Sequence, residues 1–138
     1  MTIKYATETV VLDQSQISVV DDDQSFRDSM RRLLKSLDYA VVVFPSAADF
    51  LASPTLEDTV CLVADVHMPA MTGVELYQHL IDTGRVIPTI LVTAYPTNSV
   101  RERMLTLGVK CYLPKPLVET DLIDCLRSAV AQSKALRG

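Results

Sequence analysis

Six residues carry groups that can act together on phosphorus or on a metal: Asp21, Asp22 and Asp23 in one run, then Asp65, Thr93 and Lys115. Each follows or ends a short apolar stretch. Ile17–Val20 leads into the acidic run, Val60–Ala64 into Asp65, Thr89–Thr93 ends on its hydroxyl, and Lys110–Leu113 precedes Lys115. If those stretches are parallel strands, their polar ends meet at the carboxyl edge of one sheet, where doubly wound folds bind ligands. Gathered carboxylates repel one another unless a hard divalent cation holds them, and an all-oxygen donor set suits Mg²⁺. A carboxylate beside such an ion can attack a phosphoryl group directly. A lysine and a hydroxyl opposite it would supply the alignment and charge stabilisation that phosphoryl transfer needs. The product would be an acyl phosphate on the protein itself.

Taken singly, each residue has a plainer reading. Asp21 to Asp23 suit the N-terminus of a helix, where a side-chain oxygen and negative charge are both stabilising. Asp65 fits a turn, Thr93 a strand end and Lys115 a solvated surface. Independent surface residues, however, have no reason to place carboxylates, a hydroxyl and an ammonium along the same edge of one sheet.

The elements that must position these groups alternate regularly from Ile17 onward. Strands are predicted at Ile17–Val20, Ala40–Phe44, Val60–Ala64, Thr89–Thr93 and Lys110–Leu113. Because several are apolar at consecutive positions, they should be covered by helices on both faces. Phe26, Met30, Leu33, Leu34 and Leu37 form one stripe of a first helix. A short second helix follows Ser46, a suitable N-cap. A third is predicted from Gly73 to Asp82 with Val74, Tyr77, Leu80 and Ile81 inward. The fourth runs from Asn98 to Leu107, burying Val100, Met104 and Leu107, with Gly108 placed to close it in a left-handed conformation. The fifth spans Glu119 to Lys134 with Leu122, Leu126 and Val130 on one side. Residues 1–16 read as an N-terminal extension in which only Thr9 to Leu12 suggest a strand. Residues 17–134 read as the folded domain and 135–138 as a tail, with Ser133 onward a frayed end or the start of a linker.

The 138 residues suit one domain, and a 49% apolar, 22% charged composition is that of a globular protein. A net charge of −4 argues against a nucleic-acid surface, which needs concentrated Lys and Arg. Cys61, Cys111 and Cys125 are odd in number and set in apolar runs, so they read as reduced core residues of a cytoplasmic protein. No basic, then apolar leader opens the chain, and no apolar run approaches the roughly 20 residues that span a bilayer.

Together the motifs resemble the response-regulator receiver family over about Gln16 to Ser133. Val19-Val20-Asp21-Asp22-Asp23 is similar to its acidic opening, and Asp65-Val66-His67-Met68-Pro69 with Gly73 to its phosphorylation loop. Thr93-Ala94 and Lys115-Pro116 are similar to its remaining signatures. Ser25-Phe26-Arg27 and Gly73-Val74-Glu75-Leu76 most resemble FixJ-type receivers. The resemblance implies a five-stranded, doubly wound α/β sheet in order 2-1-3-4-5, flavodoxin- and CheY-like. It also implies Asp65 as phospho-acceptor and Mg²⁺ held by Asp21, Asp22, Asp65 and the backbone carbonyl of His67. Lys115 would contact the phosphoryl oxygens, Lys115–Pro116 would be cis, and Thr93 with Tyr112 would form the switch.

Two positions depart from the pattern: Leu117 stands where the family usually has Phe, and Pro114 precedes Lys115, removing an amide donor. These bear on partner contacts rather than on phosphorylation. His67 occupies a position that varies in the family and is suited to steering an attacking water. The implied partners are a histidine kinase or phosphotransfer protein and, after phosphorylation, a second copy of the chain docked through the fourth helix, fifth strand and fifth helix. Nothing implies a turnover enzyme. Dehalogenase-like phosphatases also use an aspartyl phosphate, but they need a second acid two residues on, where this chain has His67. A receiver-like interaction module that is never phosphorylated is the other alternative.

Overall fold

The structure, a computed structural model, describes residues 15–137. Five strands form one parallel sheet: β1 (Gln16–Val20), β2 (Ala40–Phe44), β3 (Thr59–Asp65), β4 (Thr89–Thr93) and β5 (Cys111–Pro114). Their order is β2-β1-β3-β4-β5, as the resemblance implied. The helices between them are α1 (Gln24–Ser36), α2 (Ala47–Leu51), α3 (Gly73–Asp82), α4 (Asn98–Leu107) and α5 (Glu119–Arg137), with a 3₁₀ turn at Leu56–Asp58 before β3. The strand suggested at Thr9 to Leu12 lies outside the described residues.

Central position explains composition. Every residue of β3 is buried, and β3 pairs with β1 on one side and β4 on the other. At the edge, β2 is mostly half-buried. Alternate strand residues feed two cores. Val20, Leu62, Ala64 and Leu91 pack with Phe50 of α2, Leu76 and Leu80 of α3 and Met104 of α4. Ile17, Val19, Val63, Ile90 and Val92 pack with Met30 and Leu34 of α1 and Leu122 and Leu126 of α5. Consecutive apolar residues in the strands therefore report helices on both faces.

Local signals set the helix ends. Ser46 caps α2 through the Asp49 amide, and Thr72 forms a capping box with Glu75 at α3. Gly108 closes α4 at φ 116°, where any β-carbon would also press on the Tyr77 hydroxyl.

Three expectations are corrected. On α3 the inward stripe is Gly73, Leu76, Tyr77 and Leu80, while Ile81 is 39% exposed, because the sheet-facing row sits nearly one position earlier than the apolar pattern suggests. On α4 only Met104 is fully buried and Leu107 is exposed, since this helix covers the sheet near its β5 edge. Ser133, assigned to a frayed end, is buried within α5, which continues to Arg137.

The cysteines divide. Cys61 is buried and free, as the sequence suggests. Cys111 and Cys125 are instead joined in a disulfide, with their Cα atoms 6.3 Å apart. Cys111 opens edge strand β5 and Cys125 lies on the face of α5 that folds back over it. This proximity comes from the β5–α5 crossover, and neither the odd count nor the spacing of 14 residues discloses it.

Candidate functional site

At the end of β1 the acidic run separates into three roles. The Asp21 side chain turns the chain, its Oδ1 accepting a hydrogen bond from the Asp23 amide at 2.8 Å. Asp23 then caps α1, accepting from the Ser25 amide at 2.9 Å. The plain capping reading therefore holds for Asp23, leaving Asp21 fully buried and aimed inward, with Asp22 exposed beside it. Arg27 reaches back from the first turn of α1, its Nη1 donating to the Asp21 carbonyl at 2.8 Å.

Asp65 ends β3 and is 7% exposed. Its Oδ1 accepts from the His67 amide at 3.2 Å. The following loop returns so tightly that the Gly73 amide donates to the Val66 carbonyl at 3.1 Å. A β-carbon at Gly73 would overlap the Asp65 carbonyl, so only glycine fits beneath this loop. Ala70 in that loop is left-handed at φ 65°.

Lys115 follows Pro114, and its amide donates to the Thr93 carbonyl at 2.7 Å. The Lys115–Pro116 peptide is cis. From there Nζ lies 2.8 Å from Asp21 Oδ2 and 3.4 Å from Asp65 Oδ2. It also sits 4.2 Å from the centroid of the Phe26 ring, whose face attracts a cation. Asp21, Asp22 and Asp65 each offer an oxygen within 4.8 Å of the others.

Burial and charge oppose each other here. Burial pushes the Asp21 carboxyl above its ordinary value, although its hydrogen bond to Lys115 pulls the other way. At Lys115 burial works against the charged form, but the hydrogen bond to Asp21 and the charges of Asp21 and Asp65 outweigh it and raise the ammonium above its usual value. The two shifts describe one pair unequally because Asp21 is wholly removed from water, whereas the Lys115 side chain keeps 18% of its exposure. The donors are hard oxygens, and of the three gathered carboxylates only Asp21 and Asp65 pair with the Lys115 ammonium, a set that fits a Mg²⁺ ion.

Thr93 shares the strand edge, but its buried hydroxyl accepts from the Tyr95 amide at 3.0 Å rather than meeting the carboxylates. Tyr112 is 7% exposed, and its hydroxyl accepts from the amide of Thr97, the N-cap of α4, at 3.3 Å. The exposed His67 ring meets Tyr95 edge-on at 5.5 Å. Phe26, Arg27 and Tyr95 therefore belong to the site or its border, although sequence reasoning treated Phe26 as core and gave the other two no role. Their places in α1 and after Thr93 were visible; their direction was not.

A parallel sheet in this order, with an acid cluster and a lysine at the carboxyl ends of β1, β3 and β5, defines a CheY-like α/β domain. The family description "Response regulator receiver domain" matches residues 17–127. The chain belongs to that family and is a receiver domain of two-component response regulators. It is 34% identical over 122 residues to the transcriptional regulatory protein TdiR of Thauera aromatica, covering 88% of this chain and 54% of TdiR. To the transcriptional regulatory protein FixJ of Azorhizobium caulinodans it is 32% identical, covering 85% of this chain and 56% of FixJ. The chain thus spans about half the length of these relatives. The crystal structure of FixJ-N superposes with a TM-score of 0.77 at 30% identity, covering 87% of this chain and 96% of that one. Among the described residues, no helix is long and apolar enough to cross a membrane.

Proposed function

We propose that the chain accepts a phosphoryl group on Asp65 from a histidine kinase or phosphotransfer protein in the cytoplasm and uses it to switch a partner surface. The observation that carries this reading is the position of Lys115 Nζ, 3.4 Å from Asp65 and 2.8 Å from Asp21, beside a gathered trio of carboxylates. An Asp65 oxygen attacks phosphorus, the phosphorus–nitrogen bond of the donor breaks, and the donor nitrogen leaves with its electron pair and takes a proton. Lys115 balances charge on the phosphoryl oxygens and keeps Asp65 directed at them. Asp21, Asp22, Asp65 and the His67 carbonyl would hold Mg²⁺, which when bound neutralises charge on the phosphoryl oxygens.

Thr93 and Tyr112 suit the switch, because the hydroxyl of Thr93 lies at the site edge and Tyr112 ties β5 to the cap of α4. The surface they would alter is that of α4, β5 and α5, and its reader would be a second copy of the chain. With His67 standing where a phosphatase would need an acid, slow self-hydrolysis is the only turnover expected. Incubation with Mg²⁺ and phosphoramidate, followed by intact-mass measurement, tests the reading. One phosphoryl should be gained by wild type and by Asp23→Asn, and none by Asp65→Asn. An unchanged wild-type mass would sink the proposal, and identical sedimentation with and without the donor would remove the dimer.

A further inference from the structure

The disulfide between Cys111 and Cys125 closes a loop that contains the site lysine. Between the two cysteines run residues 112–118, among them Tyr112, Pro114 and Lys115, followed by the start of α5 from Glu119 to Asp124. The crosslink thus anchors both ends of the segment that carries Nζ to Asp21 and Asp65. Both cysteines are half-buried, at the margin of the core formed with Leu113, Leu117, Leu122 and Leu126 rather than sealed within it. Cys61 offers the contrast: it is wholly buried, and burial pushes its thiol up to about 12, which leaves it inert.

We infer that Cys111 and Cys125 form a reversible thiol–disulfide couple, a redox-modification site whose oxidised state stiffens the Lys115 segment. Its bearing on phosphoryl capture rests on the function proposed above. A low-molecular-weight disulfide such as oxidised glutathione is the oxidant. One cysteine thiolate attacks a sulfur of that disulfide, whose sulfur–sulfur bond breaks and releases one small thiol. The second cysteine thiolate then attacks the Sγ of the first cysteine in this mixed disulfide, whose bond to the small thiol breaks, so that the protein disulfide closes and the second small thiol leaves. Two electrons pass to the small disulfide, and the two cysteine protons end on the departing thiols. A reducing dithiol reverses both steps. The reduced protein keeps its fold, because Leu113, Leu117, Leu122 and Leu126 pack β5 and α5 onto the sheet without the crosslink. What it loses is the restriction on the intervening loop.

The test equilibrates the full chain with glutathione over a range of reduced-to-oxidised ratios. Thiols are counted by N-ethylmaleimide labelling and intact mass after unfolding, and hydrogen exchange is followed over residues 112–124 in the folded protein. The count should change from three to one in a single two-electron transition, the remaining thiol being Cys61. Exchange over 112–124 should be several-fold slower in the oxidised protein. In Cys111→Ser and Cys125→Ser the transition should vanish and exchange should match that of the reduced wild type. A wild-type count that stays at three across all ratios, or exchange that is equal in the two states, overturns the inference. Phosphoramidate labelling of both states separates this outcome from the fate of the proposed function. Failure to label in either state, with the couple still titrating and exchange still changing, removes the function and leaves the couple standing. Labelling at equal rates in both states overturns the link between them, because Asp65 should capture phosphorus faster when Lys115 is held in place beside it.

Discussion

Two ion pairs stand at opposite ends of the sheet, and they differ in what surrounds them. At the amino ends of the strands, Arg85 Nε lies 3.1 Å from Glu57 Oε1, with side chains 38% and 74% exposed. At the carboxyl ends, Lys115 Nζ lies 2.8 Å from Asp21 Oδ2, with side chains 18% and 0% exposed. The distances are similar, but water screens the first pair and is nearly absent from the second. An exposed pair is worth at most about 1 kcal/mol, and often nothing measurable. Breaking a buried pair strands a charge that has lost its hydration. The lesson is that the site end of the sheet is held in an electrostatically costly arrangement that the opposite end does not need.

The largest expected effect on this contrast comes from Lys115→Ala. It leaves Asp21 buried without its ammonium and also removes the contact with Phe26, so stability in metal-free buffer at neutral pH should fall by about 2 kcal/mol. Urea unfolding measures it. In an Asp21→Asn background the same substitution should cost much less, because no stranded carboxylate remains. Equal costs in the two backgrounds would mean that Lys115 stabilises only through packing.

Asp21→Asn alone should move stability the other way, raising the melting temperature by a few degrees without metal. The sign follows from linkage. Burial raises the Asp21 carboxyl, so the folded state holds that proton more tightly than the unfolded chain does. The stability associated with this group is fully present below the ordinary carboxylate range and is lost as pH rises through the raised value. The advantage of the variant over wild type should therefore grow from acid toward neutral pH in calorimetry. A gap that shrinks over that range would contradict the assignment. The smallest effect belongs to Arg85→Ala, which should change stability by less than about 0.5 kcal/mol, with 1 M salt abolishing even that.

Much of this molecule is legible in its sequence. The five apolar stretches, the caps at Ser46 and Gly108, and the acids and lysine at strand ends are local patterns, and the strand order follows from the motifs' resemblance to a family. Backbone geometry makes such patterns informative, because a strand or helix reads its own residues at a fixed period. The sequence accordingly marked Asp21, Asp22, Asp65 and Lys115 as a group.

Tertiary structure alone decided the rest. It made Asp23 a helix cap and Asp21 a buried ligand candidate, although both are aspartates two positions apart. It placed the Lys115 ammonium over Phe26, left Ile81 in solvent, and joined Cys111 to Cys125 across a crossover. The physical reason is shared. Burial, charge partner and sulfur neighbour are properties of contacts between distant segments, and residue type and spacing carry no record of which groups the folded chain brings within a few ångströms.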